Sequence, residues 1–169
     1  MTERAGAGPL YAAALGSVAS GVTLVTMADG RDDVGVTVSA FCPVSMDPPL
    51  VLVCLIAGSY PAELLGRLER FAVTVLAAGQ RMLAGRFAAS GRPGARLLLD
   101  GVPHHRGASS GALIPDGGLA AMECEVSSRV PAGDHLVVIA RVLAADTAGA
   151  AGEPLIRFGG RYQALAARR

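Results

Sequence analysis

The residues best suited to chemistry lie in three short stretches of the sequence. In the first, Thr37 and Ser39 stand two apart in an apolar run, so both hydroxyls face one side of a strand, opposite Val36, Val38 and Ala40. A hydroxyl pair beside the free amides of a sheet edge could form the polar rim of a ligand site. The same pattern is also typical of a solvated strand face, which is the interpretation that the residues alone favour.

The second stretch, "IAGSYPAELL" over residues 56–65, predicts a strand that ends and a helix that begins. Ser59 is placed to cap that helix, and free amides at a helix start favour an anion such as phosphate. An ordinary cap without a ligand is the commoner case. All 15 basic residues are arginine, so a bound phosphate would depend on amides, hydroxyls and guanidinium groups. Arg86 is one candidate partner.

The third stretch, "RVPAGDHLVVIARV" over residues 129–142, contains one of the three histidines. Gly133 and Asp134 have the composition of a turn, and His135 begins a strand. Because neighbouring strand residues point to opposite faces, we expect Asp134 not to orient the His135 ring. His135 is then either a lone polar contact at the mouth of a barrel or a half-exposed histidine at a strand edge. His104 and His105 are expected in a loop.

Length and composition limit the classes of protein to which the chain can belong. The 169 residues predict a single domain over 1–169, with 1–9 flexible. Hydrophobic residues make up 51% and charged residues 17% of the chain, so a surplus of apolar surface is expected to be covered in a subunit interface. A net charge of +1 without a basic block argues against nucleic acid. No apolar stretch is long enough to predict a membrane span.

The amino-terminal residues lack the order of a signal peptide, which predicts a cytoplasmic protein. The three cysteines, Cys42, Cys54 and Cys124, are odd in number and widely spaced. They fit neither a disulfide framework nor a metal site, and each is expected to be a buried apolar residue.

The coarse pattern is that of a mainly β protein. Strand-like runs cover 21–28, 34–41, 49–57, 71–77, 119–130, 135–146 and 154–165, and short helices are predicted near 10–18, 60–70 and 80–89. Adjacent strands with short turns favour an antiparallel barrel with helices across its ends over a βαβ sheet. The chain contains no glycine-rich dinucleotide fingerprint and no phosphate-binding loop with lysine. It also has no serine nucleophile elbow and no His-Glu-x-x-His pair, so a conventional hydrolase or zinc enzyme is poorly supported.

Taken together, the motifs resemble the short-chain flavin reductases of two-component monooxygenases, which have an FMN-binding split-barrel fold. The family pattern is carried by "GVTVSAF" at 35–41, "VSMDPPL" at 44–50 and "GDH" at 133–135, and it extends over residues 10–165. The segments "GSYPAELL" and "RVPAGDH" are similar to reductases that serve oxygenases of aromatic polyketide tailoring.

The resemblance implies a role for each matched residue. Ten of them would contact the flavin: Thr37, Val38, Ser39, Ala40, Ala57, Gly58, Ser59, Tyr60, Arg86 and Phe87. The first four would follow the isoalloxazine edge, the next four would meet the ribityl phosphate, and the last two would close that side. His135 would lie over the open flavin face and position the nicotinamide, as the catalytic residue of the set.

Two departures from the family pattern favour a loosely held, exchangeable flavin. Ala40 replaces a second serine, and Pro61 stands where many relatives have a hydroxyl residue. The resemblance therefore implies a homodimeric NAD(P)H:flavin oxidoreductase that supplies reduced FMN or FAD to a separate monooxygenase. The choice between FMN and FAD, and between NADH and NADPH, stays open. The alternatives are a flavin-binding split barrel without reductase turnover and a purely structural barrel.

Overall fold

The structure is a computed structural model, and it describes residues 7–31, 33–147 and 152–165. Its helices are α1 (Ala7–Gly16), α2 (Tyr60–Arg67), α3 (Arg81–Ala88) and α4 (Ala95–Leu98), with a 3-10 turn at Ala78–Gln80. The first strands are β1 (Ser20–Gly21), β2 (Thr23–Met27), β3 (Val34–Val38), β4 (Phe41–Met46), β5 (Pro49–Ile56) and β6 (Arg70–Val75). The later strands are β7 (His104–Arg106), β8 (Leu113–Pro115), β9 (Ala120–Ala132), β10 (His135–Asp146), β11 (Leu155–Phe158) and β12 (Arg161–Ala164).

Antiparallel pairing connects the described strands. Seven of them form one sheet in the order β3-β2-β6-β9-β10-β5-β4, and β1-β11-β12 and β7-β8 form two smaller sheets. The prediction of a mainly β, antiparallel protein with few helices is therefore confirmed. Part of the segment expected to be flexible, residues 1–6, lies outside the described residues, and residues 7–9 begin α1.

Apolar side chains fill both faces of the large sheet. On one face, Val53 and Val138 pack with Leu64 and Leu65 of α2. On the other, Leu24 of β2 packs with Phe87 of α3 and with α4. In β5 the buried residues are Val51, Val53 and Leu55, an alternation that leaves the residues between them on the outer face. The sheet thus positions α2 on one of its faces and α3 on the other.

The longest pairing is the β9–β10 hairpin, whose turn consists of Gly133 and Asp134. Gly133 has φ of +61°, a conformation that glycine adopts without steric cost. His135 pairs with Ala132 on β9 and with Ile56 at the end of β5. The hairpin tip therefore brings His135 beside the start of α2.

Several sequence-based expectations need correction. The expected strand 34–41 ends at Val38, and Phe41 already belongs to β4, which the sequence pattern did not predict. The run 154–165 is a hairpin, because Gly159 and Gly160 both have positive φ. His104 and His105 lie in β7, paired with β8, and not in a loop.

The cysteines also differ from expectation. Cys124 is buried, but Cys54 is half-buried and Cys42 is exposed. The prediction that all three are buried is wrong for Cys42 because it pairs with Leu52 of β5, so both side chains lie on the outer face of the sheet. All three cysteines are free thiols.

Candidate functional site

A cleft of about 340 Å³ lies where β3, β5, α3 and the tip of β10 meet. We call it the inner cleft. Seven residues predicted from the sequence line it: Thr37, Val38, Ser39, Ala40, Ser59, Phe87 and His135. Its other walls are largely apolar and include Val36, Leu55, Ile56 and Pro61. Ligand sites in proteins commonly have volumes of about 300–1,000 Å³ and combine apolar walls with a few polar groups, so the cleft is a candidate binding site.

The Thr37 side chain lines the cleft, and its hydroxyl also stabilises the fold. Its Oγ1 donates a hydrogen bond of 2.7 Å to the carbonyl of Ala84, which fastens α3 to β3. Phe87 of the same helix is fully buried and forms part of the cleft lining from within the core. Gly35 makes this close approach possible, since a Cβ there would lie 2.4 Å from the Phe87 ring.

His135 is oriented by its neighbour, contrary to the expectation from the sequence. Its Nδ1 lies 2.7 Å from Oδ1 of Asp134, and the hydrogen bond from His135 is the main reason that the pKa of Asp134 lies below its ordinary value. A carboxylate accepts hydrogen bonds and does not donate them, so Nδ1–H is the donor. The alternation of side chains applies to strands, whereas Asp134 lies in the turn, where its side chain can reach back to the ring.

The start of α2 is tied to the same hairpin tip. The amide of Ala57 donates to the carbonyl of Asp134 at 2.8 Å. Ser59 caps the helix as predicted, with its Oγ accepting from the Ala62 amide at 3.4 Å. Pro61 in the first turn has no amide hydrogen. Few amides of this helix start are therefore open to an anion.

A second cleft of about 660 Å³ continues from the first. We call it the outer cleft. The two clefts share Ser59, Pro61 and Arg92, and Tyr60 lines the outer one. Ala57, Gly58 and Arg86 line neither cleft; the Arg86 guanidinium instead donates to the carbonyl of Leu98 at 3.4 Å.

Arg92 is the main functional candidate that sequence reasoning missed. Its Nε donates to the carbonyl of Gly35 at 2.9 Å and its Nη1 to that of Ala89 at 3.2 Å. Burial lowers the pKa of this guanidinium, which nevertheless stays charged in proteins. No local motif marks Arg92, because it reaches the cleft from the loop after α3.

A buried ion cluster supports the wall of the outer cleft. Asp33, whose side chain is 1% exposed, accepts from Arg96 Nε at 2.8 Å and from Arg106 Nη2 at 2.9 Å. Burial raises the pKa of Asp33, but the hydrogen bonds and charges of Arg106 and Arg96 outweigh it, so the pKa lies below 3.8. The cluster joins the start of β3 to α4 and β7.

Neither metal chemistry nor a membrane helix is indicated within the part of the chain that the structure describes. No group of three or more His, Cys, Asp or Glu side chains there could hold a metal ion. No helix among those residues is long and apolar enough to cross a membrane. What the site offers is an apolar cleft bordered by hydroxyls, one oriented histidine and one arginine.

An antiparallel β fold with such a cleft is typical of a protein that binds a small molecule. Comparison with known proteins gives the family. The family described as "Flavin reductase like domain" matches residues 15–166. The chain therefore belongs to the flavin reductase family.

Individual relatives agree with this assignment. The chain is 41% identical to an NADH-dependent FMN reductase of Streptomyces nodosus subsp. asukaensis, covering 90% of this chain and 82% of the relative. It is 36% identical to the reductase component of 4-hydroxyphenylacetate 3-monooxygenase of Thermus thermophilus, covering 90% and 93% respectively. The solved NADH:FAD oxidoreductase of Streptomyces globisporus, in complex with NAD and FAD fragments, superposes with a TM-score of 0.86 at 32% identity, covering 95% of this chain and 94% of that one.

Proposed function

We propose that the inner cleft binds the isoalloxazine of FMN or FAD, and that the chain reduces this flavin with NADH and supplies it to a separate monooxygenase. The chain is a flavin reductase, an oxidoreductase with a flavin and a reduced nicotinamide as its reactants. The observation that carries the site assignment is the convergence of β3, α3 and His135 on one cleft.

The residues present fit a flavin. Val36 and Ile56 keep exposed apolar surface that could contact a flat ring, while Ser39 and the backbone of the β3 edge offer hydrogen bonds to its polar rim. Ser59 and Arg92 stand at the junction of the two clefts, where a ribityl phosphate would find a hydroxyl and a guanidinium. Arg92 thus takes the role that the sequence had suggested for Arg86.

The protein's contribution to catalysis is positioning. When both are bound, the flavin accepts a hydride from the nicotinamide, and the two ring systems supply this reactivity themselves. His135 borders the inner cleft with Nδ1 held by Asp134, so its Nε2 is presented in a fixed orientation. We assign this nitrogen to a contact with the nicotinamide, holding the ring against the flavin face. A positioning role of this kind lowers the entropy cost of bringing two reactants together.

An anaerobic assay tests the proposal directly. Purified protein is mixed with FMN or FAD and then with NADH or NADPH, and bleaching of the flavin absorbance is followed. We expect rapid bleaching with NADH. Bleaching no faster than without protein, with flavin binding verified separately, would leave the chain as a flavin-binding protein without turnover. A purely structural barrel is excluded if the protein binds flavin at all.

Substitution of His135 tests the site within the same assay. Because the contact is with the nicotinamide, His135→Ala is expected to lower kcat/KM for NADH by roughly tenfold or more, the equivalent of one or two hydrogen bonds. The Kd of FMN, measured by quenching of flavin fluorescence, is expected to stay within about twofold of wild type, the scatter that surface changes produce. An unchanged KM and kcat for NADH would refute the role.

Chain connectivity supports the closure of the large sheet into a split barrel. β3 and β4 are its two edges, yet only Ser39 and Ala40 separate them in sequence. Three peptide steps span at most about 11 Å, whereas the edges of a flat seven-stranded sheet would lie about 29 Å apart. The sheet is therefore expected to curl until its edges approach each other. The family match over residues 15–166 supports the proposal that residues 1–169 form a single flavin reductase-like domain.

The outer face of the sheet supports a homodimer. Leu50, Leu52 and Cys54 of β5 lie beside Val137 and Ile139 of β10 on that face, all half-buried in the single chain. Two more apolar residues extend the patch and are more exposed, namely Ile56 at 64% and Val130 at 45%. A contiguous apolar face of this kind is typical of a subunit interface.

The dimer is tested by sedimentation equilibrium. We expect twice the mass of one chain for wild type and a single-chain mass for Ile139→Arg, because a charge in an apolar interface is costly. Asp100→Arg, on an exposed residue outside this face, serves as the matched control. A wild-type monomer would contradict the dimer without affecting the proposed reaction.

The family and the cysteines support the proposed partner and compartment. Relatives that are reductase components of monooxygenases support a separate monooxygenase as the consumer of the reduced flavin, which it receives by diffusion or in a transient complex. Three free cysteines are typical of a reducing compartment, which supports a cytoplasmic protein.

A further inference from the structure

A groove lies beside the β7–β8 hairpin, and we call it the hairpin groove. Its two halves have volumes of about 240 and 260 Å³. The halves share four lining residues: His105, Ile114, Ala121 and Asp146. None of the described residues that line this groove also lines the inner or the outer cleft. A ligand of the groove would therefore contact other residues than those assigned to the flavin and the nicotinamide.

The floor of the groove is a part of the large sheet with a small side chain at its centre. Ala121 of β9 pairs with Thr74 of β6 on one side and with Asp146 of β10 on the other, so the three side chains lie on one face. Glu123 follows two positions further along β9, on the same face and about 7 Å away. Because alanine is short, the space between its longer neighbours stays open.

The hydroxyl of Thr74 lacks a partner. Thr74 is 1% exposed and lines the first half of the groove, on the same face as Ala121. Its Oγ1 makes no hydrogen bond with any residue that the structure describes. A buried polar group without a partner costs free energy, and such groups are rare in folded proteins. A ligand in the groove could supply the missing hydrogen bond.

The charges of the groove favour a cation. Among the described lining residues, three are carboxylates: Asp116, Glu123 and Asp146. Arg106 also lines the groove, but its guanidinium is paired with Asp33 at 2.9 Å. The negative charge of the lining therefore exceeds its positive charge.

Hydrogen bonds orient two of these carboxylates. Glu123 Oε2 accepts from the amide of Ser109 at 2.8 Å and from the hydroxyl of Ser110 at 2.7 Å. Burial raises the pKa of Glu123, but the hydrogen bonds from Ser110 and Ser109 outweigh it, so the pKa lies below 4.5. Asp116 Oδ1 lies 2.9 Å from Nδ1 of His105. Each half of the groove thus holds one oriented carboxylate.

We propose that the hairpin groove binds an aliphatic diamine, with one ammonium group near Thr74 and Asp116, the other near Glu123, and the alkyl stem over Ala121. An ammonium group only donates hydrogen bonds, which suits carboxylates and a threonine hydroxyl as its partners. Thr74 and Glu123 are diagonal neighbours on β6 and β9, about 7–8 Å apart. The five bonds between the nitrogens of a 1,4-diamine, each about 1.5 Å long, span about 6 Å as a zigzag, which matches this separation.

A lysine side chain of another protein carries the same ammonium group on a similar stem. The free diamine is favoured because both halves of the groove hold a carboxylate, whereas lysine presents one ammonium group. The walls beside the stem are small and apolar, formed by Ala144, Ala145 and Ile114, and they fit an alkyl chain from either source.

Isothermal titration calorimetry of the full chain with 1,4-diaminobutane tests the site, without flavin or nicotinamide. We expect one molecule per chain, and binding that persists at about 0.15 M salt, where distant exposed charges are largely screened. Butylamine, with one ammonium group, is expected to bind about tenfold more weakly. Binding that does not saturate, or that disappears at this salt concentration, would reduce the groove to a counterion surface and overturn the proposal. Nα-acetyl-lysine N-methylamide that binds as tightly as 1,4-diaminobutane would overturn the assignment to a diamine in favour of a lysine side chain.

Three variants locate the ligand. Thr74→Val removes the hydroxyl but keeps the shape, so the Kd of 1,4-diaminobutane should rise about fivefold to tenfold. Its Tm should be at least that of wild type, because an unpaired buried group is gone. Asp116→Asn should raise the Kd about threefold to fivefold, as expected for a half-exposed ion pair. Ala121→Leu fills the centre of the floor and should abolish binding.

Matched controls distinguish loss of the site from loss of the fold. Asp100→Asn and Ala164→Leu change exposed residues that do not line the groove, and both are expected to keep the Kd within about twofold of wild type. If the Kd is unchanged in both Thr74→Val and Asp116→Asn, the diamine does not lie in the groove and the proposal is wrong, whether or not Ala121→Leu folds. A lower Tm in Thr74→Val than in the controls would show that the hydroxyl is already paired, which would also contradict the proposal.

Discussion

Replacement of Asp33 by asparagine isolates the contribution of one buried charge. Asp33 has φ of +53° and a side chain that is 1% exposed. Its amide donates to Asp29 and its carbonyl accepts from Ala95. Asparagine tolerates the same left-handed conformation and has nearly the same shape, so Asp33→Asn keeps the backbone contacts and removes the charge that Arg96 and Arg106 share.

The expected loss of stability depends on how well water can solvate the two arginines. Removing one partner of a fully buried ion pair costs about 3–5 kcal/mol. Here the side chains of Arg96 and Arg106 are 53% and 46% exposed, so water can solvate each guanidinium when the carboxylate is gone. We therefore expect Asp33→Asn to lower the free energy of unfolding by about 2–3 kcal/mol at pH 7, between the values for a charged hydrogen bond and a buried pair.

The pH dependence has a definite sign. The pKa of Asp33 in the folded protein lies below 3.8, so the ionised carboxylate stabilises the fold above its ordinary pKa. That stability is lost as the pH falls through the lower, folded-state pKa. The difference between wild type and variant should therefore be full at pH 7 and shrink in the acid range below about pH 4.

Urea unfolding measured by circular dichroism at pH 7 and at several acid pH values provides the check. Asp100→Asn, at an exposed position, is the matched control and is expected to change the free energy of unfolding by less than about 0.5 kcal/mol. A change no larger than this in Asp33→Asn, or one that is the same at every pH, would refute the reasoning.

Three further predictions concern the inner cleft and the thiols. Asp134→Asn should lower kcat/KM for NADH by roughly threefold to tenfold, less than His135→Ala, without changing the Kd of FMN; additive losses in the double variant would contradict a shared role. Gly35→Ala places a Cβ 2.4 and 2.7 Å from two Phe87 ring carbons. It should destabilise the protein by about 1–3 kcal/mol and weaken flavin binding, which urea unfolding and fluorescence quenching measure. In a thiol titration of native protein, exposed Cys42 should react first and Cys124 only after unfolding, because burial, aided by the charge of Glu123, raises the pKa of the Cys124 thiol to about 12; rapid reaction of all three thiols would contradict the burial of Cys124.

The sequence predicted the parts of the fold that follow from local patterns. Apolar runs rich in β-branched residues predicted β5, β9 and β10, and Gly133 and Asp134 predicted the turn between the last two. Ser59 with Pro61 marked the start of α2. β4 was not predicted, because Pro43 and its mostly exposed side chains hide the usual alternation. β7 and β8 are too short for periodicity to indicate a strand.

Residues of the candidate site that belong to a short motif could be predicted from the sequence. Residues that come together only in the folded chain could not. Thr37, Ser39 and His135 belong to short motifs, and all three line the inner cleft. Arg92, Arg96 and Arg106 are unremarkable in sequence. Arg96 and Arg106 contact Asp33 from 63 and 73 positions away. Such contacts depend on the three-dimensional path of the chain, which no local spacing indicates.

The β9–β10 hairpin also has a consequence for the order of folding. Its two strands, of 13 and 12 residues, are joined by the two residues Gly133 and Asp134, so all of its pairings are local in sequence. β5 and β6 pair with it only across long stretches of chain. Hairpins form in about 1–10 microseconds, whereas pairings that close long loops form more slowly. The strand pair that holds His135 is thus expected to form early and to serve as the template to which β5 and β6 are added.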